Sequence, residues 1–224
     1  MLTALDHQLI VSCQAPPDSP LYAPEMIAAI AKAAVLRGAA AVRIDTPAHV
    51  KAVRQALPQI PIIGLWKQTF PGSEVYITPR FADAMAIAEA GADIIAIDAT
   101  LRDRPNGEQL PDLVQQIKNK LGKRVMADAD DLAGAKVAVE AGAEIAGTTL
   151  YGYTTQTRQD QPPAWALLEK IATQLDCFTI CEGGIATPEM AQQALDLGAN
   201  AVVVGTAITG VDLKVQAFMK PFET

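Results

Sequence analysis

The chain has 224 residues, 50% of them hydrophobic and 19% charged, with a formal net charge of −7. That supplies one large core, although length alone leaves two small domains open, and it offers no basic footprint for nucleic acid or an anionic membrane surface. Cys13, Cys177 and Cys181 sit in apolar runs without CxxC or zinc-type spacing, the opening "MLTALDHQLIVSCQ" has no basic leader, and the longest uncharged stretch, 197–211, is broken by glycines and threonines. A soluble cytoplasmic protein with buried thiols and no membrane contact is the expectation.

In chain order, the apolar runs predict strands at 9–14, 40–44, 61–67, 94–98, 124–128, 145–149, 178–182 and 201–205. They are short and rich in β-branched residues, as strands buried on both faces are. Amphipathic patterns at 25–37, 81–90 and 164–175, the last led by Pro162 and Pro163, predict helices between them. One joint recurs: "RGAAAVRID" at 37–45, "AGADIIAIDAT" at 90–100, "AGAEIAGTTL" at 141–150 and "LGANAVVVGTAI" at 197–208. Each is a helical tail, a glycine suited to a left-handed C-cap, one or two connecting residues and a buried strand. Eight strands alternating with helices imply a parallel sheet under a helical cover, and eight units favour closure into a single-domain (β/α)8 TIM barrel over 1–224. A doubly wound open sheet is the alternative. The polar "YTTQTRQDQPP" at 153–163 reads as a long loop, not a domain boundary.

In such a barrel the C-terminal strand ends share one face, where the chemistry of these folds resides. Those ends carry Gln14, Arg43, Lys67, Asp98, Asp128, Thr148 or Thr149, Glu182 and Gly205. A single charge at a strand end marks no more than the start of solvent; two cations and three carboxylates converging on one mouth would perturb one another's ionisation. Lys67 ends the apolar "IPIIGLWKQ", and beside a cation such as Arg43 its amine would lose its proton readily enough to act as base or Schiff-base nucleophile. An ion pair with Asp98 or Asp128 is the plainer role for it. Glu182 ends "CFTICEGG", where burial would suit it to general acid work, or it could cap the following turn. Gly183 and Gly184, with Gly205 and Thr206 after the last strand, occupy the places where barrels cradle phosphate, and Thr187–Pro188–Glu189 reads as a helix start. His7 and His49 fall away from the strand ends, no metal-binding set is evident, and no dinucleotide or Walker motif occurs.

Several stretches together resemble the bacterial N-acetylmannosamine-6-phosphate 2-epimerase family: "LIVSCQAPPDSPL", "GAAAVRID", "PIIGLWK", "EVYITP", "EAGADIIAIDAT", "RDRP", "MAD", "GAEIAGTTLYGYT", "EGGIATPEMA" and "GANAVVVGTAIT". They span the chain almost end to end. The resemblance implies a (β/α)8 barrel acting without cofactor or metal on a small amino-sugar phosphate of sialic acid catabolism, and by analogy a homodimer. It implies Lys67 and Glu182 as catalytic residues, and Gln14, Arg43, Asp128, Thr149 and Tyr153 around the sugar. Gly183, Gly184, Gly205 and Thr206 would hold the phosphate. Two positions depart from the family pattern, Gly184 and Gly210, where the family carries basic residues. A Schiff-base lysine aldolase and a noncatalytic sugar-phosphate-binding barrel are the alternatives; the paired His and Asp metal ligands of ribulose-phosphate-type epimerases have no match.

Overall fold

The computed structural model describes residues 1–222 and has a parallel strand at each of the eight apolar runs. These are β1 (Gln8–Cys13), β2 (Ala41–Asp45), β3 (Ile62–Leu65), β4 (Ile94–Asp98), β5 (Arg124–Asp128), β6 (Ile145–Gly147), β7 (Phe178–Glu182) and β8 (Ala201–Val204). They pair in chain order, and β8 returns to β1 to close the barrel, which excludes the open sheet. Around them lie α1 (Pro24–Leu36), α2 (Pro47–Ala56), α3 (Phe81–Glu89), α4 (Leu110–Gln116), α5 (Leu132–Glu140), α6 (Trp165–Gln174) and α7 (Pro188–Asp196). A short α8 (Thr206–Thr209) and α9 (Val211–Met219) follow β8.

Side chains alternate across each strand, and here the two faces form two cores. Ile10, Ala41, Ile63, Ile94, Met126 and Ile180 fill the barrel interior, while Val11, Val42, Ile44, Ile62 and Ile95 pack outward against the helices. Each buried valine, isoleucine or methionine among them contributes about 1.5–3 kcal/mol relative to exposure. The same parity carries each inner row to the mouth. Ser12 and Gln14 follow Ile10, Arg43 and Asp45 follow Ala41, and Lys67 follows Ile63 and Leu65 while Trp66 turns out toward the helical core.

The recurrent joint is a Schellman motif built four times. Gly38, Gly91, Gly142 and Gly198 have φ of 102°, 109°, 107° and 97°. In each, the glycine N–H bonds the carbonyl three residues back and the next alanine N–H bonds the carbonyl five back, as in Gly38→Val35 and Ala39→Ala34 at 3.0 and 3.2 Å. The alanines after the glycines, Ala39, Ala92, Ala143 and Ala199, are all buried. Each joint therefore ends a helix and fixes the entry of the next strand in one step.

β3 ends two residues before the predicted position. Past Leu65 the chain departs from β4 and pairs with the segment after it: Thr78 N–H donates to Trp66 O at 2.8 Å and Gln68 N–H to Tyr76 O at 2.9 Å. Residues 76–78 thus wedge between the ends of β3 and β4, and Asp98 N–H donates to Ile77 O. At α7 the predicted cap is present, with Thr187 Oγ1 accepting from Met190 N–H at 3.3 Å.

Candidate active site

A cavity of about 510 Å³ opens at the C-terminal end of the barrel, lined by Gln14, Arg43, Lys67, Thr149 and Glu182 on the polar side. Tyr153, Gly183, Gly184, Gly205 and Thr206 complete its rim. A second hollow of about 600 Å³ adjoins it through Ser12, Gln14 and Lys67. Each hollow is of the size that small-molecule sites commonly have.

Arg43 crosses the interior from β2 to β5. Its two terminal nitrogens lie 3.1 and 2.6 Å from Asp128 Oδ1 and Oδ2, a bidentate pair, and Nη1 also rests 3.5 Å from Met126 Sδ. Nε lies 3.1 Å from Glu182 Oε1 but has no aligned acceptor, so that contact is an ion pair and not a well-formed hydrogen bond. Burial opposes the guanidinium charge; Asp128 and Glu182 outweigh it, and the pKa of Arg43 is raised. Asp128 is fully buried beneath the cavity floor and also accepts from Thr149 Oγ1 at 2.7 Å. Its contacts are with Arg43 and Thr149, whose atoms line the cavity.

Glu182 sits between that floor and the ligand space. Burial pushes its carboxyl up, to about 7; Arg43 pulls it down, Asp128 raises it, and Thr149 and Lys67 lower it. Thr149 Oγ1 lies 3.3 Å from its Oε2, and both carboxylate oxygens are thus engaged across the barrel, away from the turn after β7. Of the two threonines at the end of β6, Thr149 faces the site. Thr148 joins β6 to β7 instead, its hydroxyl bonding Glu182 O at 2.8 Å and accepting Glu182 N–H at 3.1 Å.

Lys67 stands four strands from Glu182 around an eight-stranded barrel, on the opposite side of the mouth. Its surroundings differ from those expected. The amine donates to Gln14 Oε1 at 2.5 Å and lies 4.0 Å from Asp45 Oδ2, with 46% of the side chain exposed. Neither Asp98 nor Asp128 pairs with it among the described residues, and Arg43 is occupied by the two carboxylates. Asp98 lies outside the cavity, bonded to Thr100 and Arg102 at 2.6 and 2.9 Å.

Four contributors lie outside the expectations from sequence, one of them Lys214 on α9, which lines the cavity. Asp45 accepts the backbone N–H of Lys67 at 3.0 Å, anchoring the residue's main chain. Ser12 accepts from Gln14 Nε2 at 3.0 Å and lines both hollows. Tyr76 lines the cavity with a hydroxyl whose pKa burial raises to about 12. Ser12 could have been found by strand parity, two residues before Gln14; Tyr76 depends on the long-range wedge at 76–78.

The buried cysteines are inert by environment: burial lifts the Cys13 thiol to about 12 and that of Cys181 to about 11, while Cys177 is only partly buried. His49 bridges Asp45 O and Tyr22 O at 3.1 and 2.6 Å, a structural role. Among the described residues, no three His, Cys, Asp or Glu side chains gather to hold a metal, and no helix is long and apolar enough to cross a membrane.

The family model described as "Putative N-acetylmannosamine-6-phosphate epimerase" matches residues 27–224. The chain belongs to this family. A relative from Thermosynechococcus vestitus, named "Putative N-acetylmannosamine-6-phosphate 2-epimerase", is 64% identical over 219 residues, covering 98% of this chain and 95% of the relative. One of the same name from Synechococcus elongatus is 60% identical, covering 97% and 94%. A solved structure of the N-acetylmannosamine-6-phosphate 2-epimerase from Clostridium perfringens superposes with a TM-score of 0.93 at 38% identity, over 99% of this chain and 96% of that one. Family and barrel fold are therefore as the resemblance implied.

Proposed function

We propose that the protein is a carbohydrate epimerase, an isomerase that interconverts N-acyl-D-mannosamine 6-phosphate and N-acyl-D-glucosamine 6-phosphate in sialic acid catabolism. Membership of the epimerase family supports the reaction. The observation that carries the assignment of roles is the placing of Lys67 and Glu182 on opposite walls of one cavity, over the Arg43–Asp128 pair.

The C2 proton of an open-chain N-acylhexosamine is acidic only because C2 lies α to the C1 aldehyde. Inversion needs a base at C2, a group that stabilises charge on O1, and a proton delivered to the other face. Lys67 is the base in this reading. Glu182, kept protonated to near neutrality by burial, hydrogen-bonds O1 of the open-chain aldehyde and stabilises the enolate as Lys67 takes the C2 proton, then gives its proton to the opposite face of C2 as the aldehyde re-forms; exchange with solvent returns Lys67 and Glu182 to their starting states. Arg43, with its unsatisfied Nε–H, Gln14, Thr149 and Tyr153 orient hydroxyl and acetamido groups. Asp128, having no exposed surface, acts by holding Arg43 and Thr149. The backbone around Gly183, Gly184, Gly205 and Thr206 receives the phosphate.

The chain as a homodimer in the cytoplasm completes the reading. The apolar Leu213, Val215, Phe218 and Phe222, all exposed on and after α9, favour association, and three unpaired cysteines favour a reducing compartment. Proton NMR of N-acetylmannosamine 6-phosphate in D₂O tests the chemistry. Intact protein should introduce deuterium at C2 and generate the gluco epimer, and Lys67→Ala should slow both by at least about a thousandfold. No exchange with intact protein would remove the epimerase assignment.

A further inference from the structure

We propose that Lys214, on the C-terminal helix α9, is the side chain that recognises the phosphate group of the substrate. The inference rests on the reading above that the cavity takes a sugar phosphate. Three cations line that cavity: Arg43, Lys67 and Lys214. Arg43 is engaged by Asp128 and Glu182, and Lys67 by Gln14 with Asp45 close by. Lys214 alone has no ion pair and no side-chain hydrogen bond among the described residues. Exposed on α9, it lines the same cavity as Gly183, Gly184, Gly205 and Thr206, and its helix begins at Gly210, which packs against Thr206. A phosphate monoester brings nearly two negative charges at neutral pH, which those glycines can meet only with backbone dipoles.

Two glycines account for the charge arriving from α9. Gly184 has φ +72°, and a Cβ there would lie 2.6 Å from the carbonyl carbon of Pro162. A Cβ on Gly210 would lie 2.8 Å from Thr206 Cα and 2.9 Å from its carbonyl oxygen. Side chains of any kind are opposed at both positions, so in this chain neither can carry a cation toward the cavity. The bare Gly210 also lets the backbone fold tightly against Thr206, and α9 starts at once. Lys214 then lies one turn on, its N–H donating to Gly210 O at 2.9 Å. Asp212 fixes the same turn by accepting from Ser19 Oγ at 3.0 Å. A flexible ammonium on a tethered helix suits recognition of a phosphate as a point charge.

Steady-state kinetics of Lys214→Gln and Lys214→Arg test this, with N-acetylmannosamine 6-phosphate and unphosphorylated N-acetylmannosamine as substrates and inorganic phosphate as inhibitor. Lys214→Gln should raise KM for the phosphorylated sugar about ten- to hundredfold with kcat nearly unchanged, and weaken phosphate inhibition in step. The unphosphorylated sugar should be turned over as before, and Lys214→Arg should restore most of the affinity. Unchanged KM and phosphate inhibition in Lys214→Gln would overturn the proposal, as would an equal loss on both sugars, which marks a structural role. Should the intact protein exchange no C2 proton, the epimerase reading fails separately. Calorimetric titration of N-acetylglucosamine 6-phosphate into intact and Lys214→Gln protein then decides the matter: weaker binding by the variant supports Lys214, and equal binding removes it.

Discussion

At the N-terminal end of the barrel, polar side chains bond backbone N–H groups and are further satisfied by neighbouring side chains, as Asp93 is by Arg54 and Asn200 by Asp6, whereas at the C-terminal end charges are gathered against each other and left partly unmatched. The residue after each of three Schellman joints shows the first pattern. Asp93 accepts from Ile62 N–H at 2.9 Å, Glu144 from Val125 N–H at 3.1 Å and Asn200 from Thr179 N–H at 2.8 Å, each steadying the start of the preceding strand. At the mouth, Arg43 is shared by two carboxylates, its Nε–H is unsatisfied, and Lys214 faces the cavity alone. The difference separates holding the barrel from using it: satisfied hydrogen bonds near the joints contribute stability, while the costlier arrangement at the mouth preserves groups that can still respond to a ligand.

The largest effect should come from the mouth. Glu182→Gln should lower turnover by about a hundred- to ten-thousandfold if Glu182 is the acid, measured as epimer formation at pH 6.5. In the intact enzyme turnover should decline as pH rises above about 7, where the raised carboxyl loses its proton. Stability has the same sign. A carboxyl raised from 4.5 to about 7 by folding binds its proton more tightly in the folded state, so stability should fall as pH rises across that window and level off above it. Urea unfolding of Glu182→Gln should lack this slope, and an identical slope in both proteins would break the assignment.

Next is Asp128→Ala, which leaves the Arg43 charge buried without its bidentate partner. It should cost about 3–5 kcal/mol in urea unfolding and nearly abolish turnover. A variant of intact stability would show that the floor pair is not under strain from burial. The smallest effect belongs to the other end: Asn200→Ala should cost about 1 kcal/mol through the lost bond to Thr179 N–H, with kcat/KM unchanged. A kinetic defect there would dissolve the division between the two ends.

Much of the barrel could be read along the chain because its cues are local. A glycine at the end of an alanine-rich helical run, followed by an alanine, one further residue and an apolar run, closes the helix at all four joints, and period-two alternation assigns each strand residue to a face. Gln14, Arg43, Lys67 and Glu182 follow from that arithmetic, and all line the cavity. The third strand is shorter than its apolar run because its end is set by the backbone of residues 76–78 competing for the same edge. Asp45 carries no local cue for a related reason, since it matters only once β2 and β3 pair with Asp45 opposite Leu65 and bring it to the Lys67 backbone.

By itself, then, the sequence determined the eight units, their joints and the inward rows that deliver polar side chains to one end, because each depends on contacts within a few residues. Tertiary structure alone decided which of those side chains meet. Arg43 and Asp128 are 85 residues apart yet form a bidentate pair, Lys67 rests on Gln14 and not beside Arg43, and Lys214 reaches the cavity from the far end of the chain. Charge pairing acts over a few ångströms of space, and only closure of the barrel turns distances along the chain into those distances.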